Sequence, residues 1–232
     1  MADQYLHHEK HFQASDIVRD VVIGMSDGLT VPFALAAGIS GAAVAVSTVV
    51  TAGVAEVVAG SIAMGLGGYL AARGESDHYD AELAREQHEI THMPEEEVRE
   101  VAEIFEVYGL KEQHYRPLIE GLRERPTAWR DFMMRFELGL EKPDPQRAQR
   151  SALTIGASYV LGGCIPLAPY VMFSTVQQAL PWSAGMTLAT LALFGYVKAK
   201  LTGAPPAVSA MQTTLIGGTA AAVAFALARA IS

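Results

Sequence analysis

Apolar residues gather in five long blocks, and most charged residues fall between the second and the third. The first block reads IVRDVVIGMSDGLTVPFALAAGISG; the second reads AAVAVSTVVTAGVAEVVAGSIAMGLGGYLAA and ends at Ala72. Neither alternates as a half-buried strand would, and each exceeds the roughly 20 residues a helix needs to cross a bilayer. The pattern places helices at about 17–39, from near Ala43 to 72, and at about 149–173, 182–201 and 206–231. Residues 28–55, 151–197 and 201–228 carry no charge at all. A soluble protein rarely collects uncharged residues into such runs, so the chain is predicted to be an all-α polytopic membrane protein with five transmembrane helices and a helical insert between helices two and three. The expected organisation is a polar leader over 1–16, helices one and two over 17–72, a cytosolic metal-binding insert over 73–148 and helices three to five over 149–232.

The insert is helical by its own periodicity. From Arg73 the sequence continues RGESDHYDAELAREQHEIT, in which Glu75, Glu82, Glu86 and Glu89 are spaced 7, 4 and 3 apart and fall within about 60° of one another on a helix. Carboxylates stacked in this way repel unless cations neutralise them. Pro94 ends that helix. In EEEVREVAEIFEVYGL, Val98, Val101 and Phe105 form one side, Glu96, Glu100 and Glu103 the other, with Glu97 flanking the acidic side. Gly109 is a natural stop. A helix follows over about 112–124, and then one from Thr127 in which Met133 and Glu137 are i,i+4 neighbours with Met134 alongside; Pro143 and Pro145 close the insert.

Charge sets the orientation. With the N-terminus inside, 16 of the 17 lysines and arginines face the cytoplasm and only Arg229 lies outside, a nearly complete positive-inside bias. The net charge of −8 argues against nucleic acid, which needs a basic face, and suits the handling of cations. Cys164 stands alone in an apolar segment, where it reads as small packing. The leader MADQYLHHEKHFQAS lacks a secretory signal pattern, so helix one is expected to act as the insertion signal, with Ser15 or Asp16 as its N-cap. His7, His8 and His11 in that leader read as solvated residues, with metal contact as the alternative.

Two acids interrupt the apolar helices: Asp27 in the first and Glu56 in the second. An acid at bilayer depth is costly and marks an ion or proton route. Asp20 lies one heptad before Asp27 on nearly the same face. Gly24 and Gly28 allow close helix approach, and Pro32 is placed to kink the helix just past Asp27. Ala59, Ala63, Gly67 and Ala71 form a small-residue ridge for a neighbouring helix or a second subunit, and Met64 follows Glu56 by about two turns. In the insert, Glu86, Glu89, Glu97, Glu100, Met133, Met134 and Glu137 form a candidate site whose carboxylates and thioethers suit Fe(II) or Mn(II) more than Zn(II). An acidic solvated surface is the competing reading of the same residues. Fe(II) and Mn(II) are expected as transported ions and not as permanently bound cofactors, with Zn(II) or Co(II) also able to occupy the insert site. A membrane-attached di-iron ferroxidase or a metal-storage protein is the alternative, because Glu75-x-x-His78 and Glu89-x-x-His92 both carry a ferritin-like ligand spacing. Both pairs fall on one predicted helix, however, about 21 Å of rise apart, which counts against a shared metal pair and against an enzyme.

The segments IVRDVVIGMSDGLTVPFALAAGISG, EVVAGSIAMGLGGYLAA and DFMMRFELGLEKPDP closely resemble the vacuolar iron transporter family, over almost the whole chain. The resemblance implies a homodimer of five-helix subunits with the path between them, moving cytosolic Fe(II), and often Mn(II), in exchange for protons. It assigns the pathway to Asp20, Asp27, Glu56 and Met64, and cytosolic metal binding to Glu86, Glu89, Glu97, Glu100, Met133, Met134 and Glu137. The nodulin-like branch lacks most of this insert, so the chain resembles the branch that keeps it. A bacterial member would sit in the plasma membrane, a plant or protist member in the vacuolar membrane.

Overall fold

The computed structural model describes residues 14–42 and 45–231; His7, His8 and His11 lie outside them. The described residues form helices and no strand: α1 (Ala14–Gly41), α2 (Val46–His92), α3 (Pro94–Val107), α4 (Glu112–Arg123), α5 (Pro126–Phe136), α6 (Arg147–Met172), α7 (Val176–Thr202) and α8 (Pro206–Ile231). Five of them, α1, α2, α6, α7 and α8, are long and apolar enough to cross a membrane. At 47 residues, α2 is more than twice the length a bilayer requires. Only its first half, up to Ala72, is apolar.

Two helix starts differ from the sequence expectation. α1 begins at Ala14, so Ser15 and Asp16 stand inside the helix and not at the position before it. α7 begins at Val176 and contains Pro181, where a loop was expected to reach residue 181. Proline this close to a helix start removes a single intrahelical bond, and the chain gains an ordered turn in return. α1 likewise runs through Pro32, and α6 through Pro166 and Pro169.

The helices group into two compact units, Met1–Tyr69 with Gln149–Ser232, and Leu70–Ala148. In the first, Ala36, Val49, Val57, Leu167, Tyr170, Val176 and Ala179 form one apolar cluster, and Phe33, Ala37 and Ala221 another. Three buried hydroxyls are satisfied internally: Ser40 donates to the Ala36 carbonyl at 2.6 Å and pairs with the Tyr170 hydroxyl at 2.9 Å, while Ser183 donates to the Pro166 carbonyl at 2.7 Å. The hydroxyls of Thr187 and Ser209 are buried without a partner among the described residues. The Ala59, Ala63, Gly67 and Ala71 ridge is exposed along α2, and a Cβ at Gly67 would meet nothing within 4 Å.

Glycines bring α1 and α2 against α6. A Cβ at Gly28 would stand 2.3 Å from the Tyr159 carbonyl oxygen, and one at Gly60 would stand 2.4 Å from the Tyr159 hydroxyl oxygen. Neither helix can approach Tyr159 this closely with a side chain at those positions. Gly28→Ala is therefore expected to destabilise the protein by about 1–3 kcal/mol through overpacking, read as a lower thermal midpoint in detergent. Gly185→Ala is the control, because a Cβ there meets nothing within 4 Å; it is expected to leave the midpoint unchanged or raise it.

The second unit has its own core, in which Ile90 of α2, Val101 of α3, Tyr115 and Ile119 of α4, and Trp129 and Met133 of α5 are buried together. Gly139, at φ 65°, turns the chain after α5. One sequence expectation is corrected here. Glu97 does not flank the solvated side of α3: it is 3% exposed. It lies four residues before Val101 and so shares the inward face, while Glu96 and Glu103 are exposed as expected and Glu100 is half-buried.

Candidate metal sites

In the first unit, Glu56 of α2 meets Tyr159 of α6. The phenol donates to Glu56 Oε1 at 2.5 Å, and Glu56 Oε2 is buried with no hydrogen-bond partner. The charge of Asp27 on α1 also acts on the Tyr159 hydroxyl. Tyr159 is thus hydrogen-bonded to Glu56 and seated against Gly60 and against Gly28, the chain neighbour of Asp27; both acids are half-buried. Asp20 and Met64 do not join this centre. Asp20 precedes Asp27 by about 10 Å of helix rise, and Met64 follows Glu56 by about 12 Å. Asp20 is 2% exposed with the Arg19 guanidinium 3.9 Å away, and Met64 is half-buried. A buried carboxylate oxygen without a donor is a position a cation or a proton can fill.

Sequence reasoning missed Tyr159. Its only signal was a tyrosine within the charge-free run 151–197, where a hydroxyl must find a partner.

The second unit holds the carboxylate cluster. Glu86, Glu89 and Glu97 each offer an oxygen, and these oxygens lie within 4.8 Å of one another. The arrangement follows from α2 and α3 packing through Ile90 and Val101, which turns Glu86 (1% exposed) and Glu97 inward. Oε2 of both residues is buried without a hydrogen-bond partner. Burial pushes the Glu86 carboxyl up to about 7, reinforced by the charges of Glu137, Glu89 and Glu100 against the opposing Arg85 guanidinium. Burial likewise pushes Glu97 up to about 7, with Glu86, Glu100, Glu89 and Glu137 adding to it. Glu100 and Glu137 are raised as well, first by burial and then by acidic neighbours. All five carboxylates therefore share one negative field, although Glu137 itself is exposed as the C-cap of α5.

Met133 and Met134 are both buried, Met133 inside the apolar core with Trp129 and Ile119; that packing accounts for its position without a metal. Arg85, which sequence reasoning did not single out, lies 2.9 Å from Glu82 and 3.8 Å from both Glu86 and Glu89. It partly neutralises the cluster, as a bound cation would. Glu75, His78, Glu89 and His92 all lie on α2, so the two ferritin-like pairs cannot close on one metal pair within the chain.

The raised values fix a pH dependence. A metal must displace the protons that Glu86 and Glu97 hold below about pH 7, so affinity is expected to fall by up to about tenfold per pH unit for each displaced proton as pH drops from 7.5 to 5.5. Titration calorimetry with Mn(II) in buffers of different ionisation enthalpy reads that proton release directly. Stability without metal runs the opposite way. Both folded values exceed the ordinary glutamate value of 4.5, so the folded state binds more protons, and stability present at low pH is lost as pH rises from about 4.5 through 7.

Comparison with known proteins gives a consistent picture over the whole described chain. The sequence model of the VIT family matches residues 18–229. The chain is 57% identical to vacuolar iron transporter 1 of Oryza sativa subsp. japonica, over 97% of this chain and 89% of the relative. It is also 57% identical to vacuolar iron transporter 1 of Arabidopsis thaliana, over 97% of this chain and 90% of the relative. Protein CCC1 of Saccharomyces cerevisiae is 39% identical over 92% of this chain and 69% of its own length.

Proposed function

The chain belongs to the VIT family, and from that premise we propose that it transports Fe(II) out of the cytosol, into a vacuole or across the plasma membrane, in exchange for protons, with Mn(II) as a second cargo. The observation that carries the reading is a carboxylate, Glu56, set in a membrane-crossing helix with one oxygen bonded to Tyr159 and the other buried and unpartnered. That arrangement offers a place that either a proton or a metal ion can occupy, and alternation between the two is the elementary step of proton-coupled antiport. Asp27 supplies the second acid. Asp20 and Met64 are proposed to line the route further along α1 and α2.

The Glu86, Glu89 and Glu97 cluster is proposed to capture the ion first, with Glu100, Glu137 and the thioethers of Met133 and Met134 completing its ligands. The distribution of basic residues supports an N-terminus and a 73–148 insert on the cytosolic side. The exposed Ala59, Ala63, Gly67 and Ala71 ridge supports pairing of two copies along α2.

Reconstitution into liposomes tests the reading. With an acidic lumen, external Fe(II) and Mn(II) are expected to accumulate and the lumen to lose protons, while collapse of the pH gradient removes the accumulation. Uptake that ignores the gradient would rule out antiport. Measurable oxygen consumption on adding Fe(II), above the uncatalysed rate, would instead favour the ferroxidase alternative.

A further inference from the structure

The last turns of α2 read His88-Glu89-Ile90-Thr91-His92. The histidines are four residues apart, so they share a helix face, and both are exposed. Their rings are stacked with centroids 4.0 Å apart and planes at 25°. His92 Nδ1 lies 2.9 Å from the His88 carbonyl oxygen. A carbonyl can only accept, so Nδ1 carries a proton, and in the neutral ring the lone pair sits on Nε2. Metal-bound imidazoles use the same device to fix tautomer and ring orientation. Binding of one ion by both rings at about 2.0–2.1 Å needs the two ring nitrogens about 3.4 Å apart with their in-plane lone pairs converging. The near-parallel stack does not do this, and the exposed side chains reach it by turning out of the stack. His92 also stands in the last turn of α2, where the helix dipole favours a cation.

We propose that His88 and His92 form a second metal site, separate from the carboxylate cluster, for an ion of borderline softness such as Cu(II), Ni(II) or Zn(II). Glu89, between them, points its carboxylate to Glu86 and Glu97. The His-Glu-x-x-His spacing is also that of zinc peptidases, which need a third protein ligand and a glutamate free to act as base. Among the described residues the only group of three metal-ligating side chains is the carboxylate cluster, so the pair is assigned to binding and water completes its coordination. The assignment does not depend on the transport reading.

Cu(II) titrated into the detergent-solubilised full-length chain is the probe, because pulsed electron paramagnetic resonance resolves imidazole nitrogen and distinguishes it from carboxylate oxygen. The background carries His7→Ala, His8→Ala and His11→Ala, which removes the leader histidines. In that background one equivalent of Cu(II) is expected to show two imidazole nitrogens. His88→Ala or His92→Ala is expected to reduce them to at most one and to weaken binding at least about tenfold, while Glu97→Gln leaves the nitrogen signal intact. A leader-substituted protein with no nitrogen signal, or a signal undiminished by His88→Ala together with His92→Ala, would overturn the proposal.

Discussion

Metal uptake by vesicles carrying Asp27→Ala is expected to drop to the level of protein-free vesicles. Asp27 stands on α1 between Gly24 and Gly28, the glycines that bring the helix against Ile155, Ser158 and Tyr159 of α6. Its charge reaches the Tyr159 hydroxyl that also serves Glu56. A methyl group there can hold neither a proton nor a cation, and it leaves Glu56 alone to offset the cost of dehydrating a divalent ion. A loss of at least two orders of magnitude in rate, about 2.7 kcal/mol on the barrier, is expected for Asp27→Ala and for Glu56→Gln. Tyr159→Phe is expected to be milder, because it removes a donor and not a charge: uptake slows while the dependence on the pH gradient persists. Monodispersity and an unchanged thermal midpoint separate these effects from misfolding. Wild-type uptake by Asp27→Ala would take that residue out of the mechanism.

The second large effect concerns Glu97 and joins two opposite readouts. Glu97→Gln replaces one of three carboxylates gathered within 4.8 Å by a neutral amide and is expected to weaken Mn(II) binding by about 100-fold, or roughly 2.7 kcal/mol. The same substitution removes a buried negative charge from the field of Glu86, Glu89, Glu100 and Glu137. At pH 8 the metal-free variant should therefore melt at a higher temperature than the parent chain. A ligand lost and stability gained is the signature of a site whose carboxylates are held together against repulsion. Glu96→Gln, one residue away and exposed, should change neither. If Glu97→Gln bound Mn(II) as tightly as the parent, the cluster would be an ordinary acidic surface.

How much of this was readable from residues alone follows the range of the forces involved. The five membrane-crossing helices were readable because the bilayer acts on each segment separately: a charge-free run of sufficient length must satisfy its own backbone, and only a helix does so within one segment. Asp27 and Glu56 were conspicuous for the same reason, as charges where the local composition allows none. The helix ends were less accessible. Pro181 looks like a loop residue until the chain around it is seen to coil from Val176.

Tertiary packing decided the rest. Glu96 and Glu97 are adjacent and equally acidic, yet only Glu97 turns inward, because the face of α3 that meets α2 is set by Ile90, Val101 and the Trp129 side of the core. Tyr159 carries no charge and breaks no pattern; it becomes a partner of Glu56 only when Gly28 and Gly60 let α1 and α2 close on α6. Arg85 reads as one of many surface cations until the fold sets it among three carboxylates. Periodicity and composition report how each segment prefers to meet its solvent. Which polar groups then face one another depends on contacts between segments distant in the chain, and no local pattern encodes those.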